Sequence, residues 1–151
     1  MLVKFTPSPE HIKEHVMGYA ITVTVEAPFA PTLEATRQAL ADQGFGVLTE
    51  IDLAATLKTK LDVDLPAHVI LGACRPPLAY EAVQAEPSIG LLLPCNVVVR
   101  AVDEQATVVE AMDPAVMVTM TGNDALAGVA ADAGARLTAA LSALAKPTTT
   151  A

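Results

Sequence analysis

Asn96-Val97-Val98-Val99-Arg100-Ala101-Val102-Asp103-Glu104-Gln105-Ala106-Thr107-Val108-Val109-Glu110-Ala111-Met112 is the stretch that decides the fold. Two β-branched runs flank a short polar turn, which is the pattern of a hairpin. One strand is expected near Asn96 to Val102, a turn at Asp103-Glu104-Gln105, and a returning strand over Thr107 to Met112. Downstream, Asp113-Pro114 opens a short helix through Met120, and Thr121-Gly122-Asn123 is a loop. Then Leu126, Val129, Ala133, Leu137, Leu141 and Leu144 recur at helical spacing up to Lys146 and Pro147.

Upstream, strands and helices alternate. Pro66 precedes a strand over His68 to Cys74, and Pro76-Pro77 sit where a helix tolerates proline, at its first turn. That helix runs to about Ala85 and stops at Pro87. Val47 to Ile51 is a further strand, after which Asp52 caps a short helix carrying Leu53, Leu57 and Leu61. Tyr19 to Glu26 alternates, with Tyr19, Ile21, Val23 and Val25 on one face. Pro28 to Pro31 is a turn, and Thr32 to Gln43 is a helix closed by Gly44 and Gly46, with Phe45 packed between them as a plug. The expected architecture is α+β: a single antiparallel-rich sheet with helices packed on one face. Residues 1–17 form an N-terminal arm, 18–146 one domain, and 147–151 a disordered tail.

At 151 residues the chain fits one domain, and 52% hydrophobic against 17% charged residues exclude a disordered protein. Nine basic against 17 acidic residues leave a net charge of -8. That balance argues against nucleic acid and against an anionic membrane surface as partners. The N-terminus lacks the apolar core of a secretory signal. The longest apolar run, Ile89 to Val99, is broken by Pro94, Cys95 and Asn96, short of the ~18 residues of a membrane span. The cytoplasm is the expected compartment, with both thiols reduced.

Three stretches stand out together: Gly44-Phe45-Gly46-Val47-Leu48-Thr49-Glu50-Ile51-Asp52, Ile70-Leu71-Gly72-Ala73-Cys74-Arg75-Pro76-Pro77, and Ile89-Gly90-Leu91-Leu92-Leu93-Pro94-Cys95-Asn96-Val97-Val98-Val99. In this order and spacing the chain resembles the bacterial and archaeal family named domain of unknown function 302, from about Tyr19 to Leu144. The resemblance implies a small α+β fold of TATA-binding-protein-like topology that tends to form homodimers. It implies no activity. At Arg75 the family pattern often carries Asn.

Cys74 ends a strand just before Arg75 and a helix start, both of which favour a thiolate. Cys95 opens the next strand, so strand-helix-strand order allows both thiols at one end of the sheet. They read either as a ligand-binding or redox pair or as two small buried hydrophobes. Asn96 offers a donor and an acceptor beside Cys95, and Glu50 a carboxylate in the first motif. His11 and His15, spaced i, i+4, with Met17 nearby, are candidate metal or haem ligands if the arm is ordered; His68 is a further candidate. The leading functional expectation is a homodimeric module binding a small ligand, a metal or a haem, near the two cysteines or at the dimer interface. A thiol-dependent redox or sulfur-transfer enzyme and a structural, partner-binding subunit are the alternatives.

Overall fold

The computed structural model describes residues 18–145. The expected arm and tail, and with them His11, His15 and Met17, lie outside the described residues. Along the chain come β1 (Ala20–Val25), α1 (Phe29–Asp42), β2 (Gly46–Asp52), α2 (Leu53–Leu61), β3 (His68–Cys74), α3 (Pro76–Ala85), β4 (Cys95–Asp103), β5 (Ala106–Met112), α4 (Ala115–Thr121) and α5 (Ala127–Ala145). Short 3-10 turns, Pro87–Leu92 and Asp124–Leu126, precede β4 and α5.

All strand pairs are antiparallel, in one five-stranded sheet of order β1-β5-β4-β3-β2. The hairpin pairs Val97 with Ala111 and Val99 with Val109. Strand alternation then points these four side chains to one face, where all are buried. Helices α1 and α5 lie across that face, as expected for the α+β class. Helix α5 contributes Leu137, Ala140 and Leu141, and α1 contributes Ala39 and Leu40. Thr36 is buried beside them because its hydroxyl donates to the Thr32 carbonyl at 2.7 Å, leaving no idle polar group. Phe45 plugs the same core. A second cluster joins Leu78 and Ala82 of α3, Met117 of α4, and Val129, Ala130 and Ala133 of α5.

Two local expectations change. Helix α1 begins at Phe29, not Thr32, because Pro31 stands in the first turn, where no intrahelical N–H is lost. Tyr19 precedes β1 and is 60% exposed, so the core stripe is Ile21, Val23 and Val25 alone. The run from Ile89 begins as a 3-10 turn, and only Ile89 of that turn is buried. No helix among the described residues is long and apolar enough to cross a membrane.

Candidate functional site

The three sequence motifs meet because β2, β3 and β4 are neighbours. Gly46 pairs with Cys74, Thr49 with Gly72, Gly72 with Asn96 and Ala73 with Cys95. Gly72 is the hub. A Cβ there would clash with the Thr49 hydroxyl and stand 2.8 Å from Cγ of Pro94, so only glycine fits. The register slips between Val47 and Thr49, which makes Leu48 an extra residue on β2.

Because β3 ends at Cys74 and β4 begins at Cys95, antiparallel pairing brings both thiols to the same end of the sheet. Both are free. They border a cavity of about 180 Å³ at the seam between the two cores. Phe45, Ala73 and Cys95 reach it from the sheet side, and Leu78, Met117 and Ala133 from the helical side. Leu48 and Arg75 also line it. A wider depression of about 510 Å³ between β1, α4 and α5 is open, lined in part by alanines, and holds none of the motif residues.

The Cys95 thiol is 7% exposed, and burial, with a smaller push from Cys74, raises its pKa to about 11. Near pH 7 only about one Cys95 in ten thousand is then a thiolate. Arg75 has different surroundings. It is the N-cap of α3, with Pro76 and Pro77 in the first turn. The next two amides, Leu78 and Ala79, each donate to the Arg75 carbonyl at 3.0 Å. The first four helical positions therefore offer no idle N–H. Nε of Arg75 is buried and has no hydrogen-bond partner. Leaving such a donor unmet costs about 1–3 kcal/mol. Gly44 lets the side chain lie this close: its φ is +84°, and a Cβ built on it would stand 3.1 Å from that nitrogen.

Of the expected site residues within the described part of the chain, the structure brings Cys74 and Cys95 together and places Asn96, Glu50 and His68 elsewhere. Asn96 is exposed on the sheet face opposite the core, because alternation turns it away from its neighbours Cys95 and Val97. Glu50 is held in an ion pair by Arg37 of α1, outside the cavity. His68 begins β3 and Cys74 ends it, a separation of about 20 Å at strand rise. Among the described residues no three His, Cys, Asp or Glu side chains are grouped to hold a metal ion. Sequence reasoning missed Leu78, Ala82 and Ala133 as lining residues, since core alanines and leucines look alike whether or not a void adjoins them. It used Arg75 only as a neighbour of Cys74; the lack of a charge partner becomes visible in three dimensions.

One antiparallel sheet, helices across one face and an apolar cavity at one sheet end define a small α+β protein of simple plan. The family model described as "Domain of unknown function DUF302" matches residues 21–144, and the chain belongs to that family. It is similar to the uncharacterized conserved protein DUF302 from Bacillus stearothermophilus, whose crystal structure superposes with a TM-score of 0.76 at 30% identity, covering 84% of this chain and 98% of that one. None of the curated proteins matches it.

Proposed function

We propose that the protein is a homodimeric module that binds a small, mainly apolar ligand in the cavity beside Cys74 and Cys95. One observation supports this above the rest: every side chain lining the cavity is apolar or a thiol, except Arg75. A pocket lined in this way favours apolar guests. At about 180 Å³ it falls below the ~300–1,000 Å³ of drug-sized sites, so the guest has few carbons and a porphyrin is not enclosed. A thiol-dependent redox or sulfur-transfer enzyme is the weaker reading, because burial keeps Cys95 protonated near neutral pH. The cytoplasm suits a protein with two free thiols.

The homodimer has a separate support. Edge strand β2 is exposed at all seven positions, and exposed Leu48, Ile51, Leu61, Val63 and Leu65 follow one another through β2, α2 and the next loop. A second copy covering this edge would bury them. A native mass spectrum at micromolar concentration is expected to show a dimer, and a monomer alone would overturn that part. For the ligand, isotope-labelled protein is titrated with 1-hexanol and followed by amide NMR. Saturable shifts at Leu78, Ala82, Met117 and Ala133 are expected. Shifts absent there, or spread evenly over the surface, would overturn the binding site.

A further inference from the structure

We infer that the ligand is a short-chain monocarboxylate, with its hydrocarbon in the cavity and its carboxylate on the Arg75 guanidinium. This rests on the cavity being a binding site, and it adds which chemistry that site selects. The other arginines in the described residues all meet acids: Arg37 meets Glu34 and Glu50, Arg100 meets Glu110, and Arg136 meets Asp132. Arg75 meets none among the described residues, although the chain carries 17 Asp and Glu residues against nine Lys and Arg. Acids are plentiful, and none among the described residues pairs with this guanidinium.

Arg75 also borders the cavity, with its Nε packed against Gly44. Nε is buried without an acceptor in a residue that borders the cavity. Gly44 seats the side chain there by presenting no Cβ. The start of α3 is not the anion site, since its prolines lack N–H groups and its next two amides are spent on the Arg75 carbonyl. Recognition falls to the guanidinium, whose planar fork matches a carboxylate with two parallel hydrogen bonds. The rest of the lining carries no second cation. A phosphate dianion would leave charge uncompensated beside apolar walls, so a single negative charge is selected.

The test compares hexanoate with 1-hexanol at pH 7, by amide NMR titration of wild type and R75Q. Wild type is expected to bind hexanoate about tenfold more tightly than the alcohol, the order of one charge-assisted hydrogen bond. R75Q is expected to lose that preference and to bind 1-hexanol as wild type does. Equal affinity of wild type for both probes overturns the carboxylate inference and leaves the apolar site standing. The same holds if R75Q keeps the preference. If neither probe shifts the cavity amides of wild type, the binding site fails and the inference fails with it. The wild-type comparison stands by itself should R75Q not fold.

Discussion

Gly72 and Cys95 show how much of this sheet end rests on single atoms. Gly72 lies under both Thr49 and Pro94, so a methyl group there has no room. Gly72→Ala is expected to lower stability by about 1–3 kcal/mol, as overpacking does, and a urea melt would read it as a lower midpoint. An unchanged midpoint would mean that Thr49 and Pro94 yield freely. Cys95 makes a pH prediction whose sign follows from its raised pKa of about 11 against an ordinary thiol value of 9.0. Below pH 9 the thiol is neutral whether the chain is folded or not, and its burial carries no ionisation penalty. Between about 9 and 11 only the unfolded chain loses the proton, so the folded state binds more protons and stability falls as pH rises. The full loss is about 2–3 kcal/mol. Subtracting the melts of Cys95→Ala from those of wild type across pH 7 to 11 isolates this slope; parallel curves would contradict the raised pKa.

Elements differ in what holds them. Helix α2 has no buried residue, so its clearest local anchor is the Asp52 side chain, which accepts from the Ala55 amide at 2.9 Å. Asp52→Ala should therefore remove about 0.5–2 kcal/mol from this helix. Hydrogen exchange would show it as faster exchange within Leu53–Leu61 while the amides of β4 and β5 keep their protection. Faster exchange throughout the sheet would mean that α2 and the core unfold together. The same contrast explains what could be read from the chain. The hairpin was legible because Val97, Val99 and Val109 alternate, and α5 because its apolar residues keep one period over five turns. Strand β3 and helix α3 were bounded correctly because Pro66, Pro76, Pro77 and Pro87 punctuate them. The start of α1 was hidden, since Pro31 signals a break in sequence yet fits a first helical turn. Cys74 and Cys95 could be placed at one sheet end from topology. The cavity beside them could not, because periodicity reports which face a residue lies on and says nothing about whether the space opposite is filled.

At the scale of the whole molecule, two cores share one chain and meet imperfectly. The sheet core with α1 and α5 is one body, and the cluster of α3, α4 and the first half of α5 is the other. Helix α5 serves both along one face, Ala133 in the second cluster and Leu137, one turn on, in the sheet core. The seam is the cavity of about 180 Å³. Charged at about 24 cal/mol per Å³, an empty void of that size sets an upper bound of about 4 kcal/mol of forgone stability, less where it opens to water. Packing alone would favour a larger side chain than Ala133, which faces the gap and is 4% exposed. Ala133→Leu adds three carbons at a position where space already exists. It is expected to keep or raise the melting temperature, each buried methylene contributing about 0.8 kcal/mol, and to abolish the 1-hexanol shifts at Leu78 and Ala82. A strained core responds the opposite way, losing about 1–3 kcal/mol on enlargement. Thermal melting and titration of this one variant therefore separate the two cases. Stability kept with binding lost shows a void reserved for a guest. Stability lost with binding kept shows that α5 is tightly packed at Ala133 and that the guest sits elsewhere.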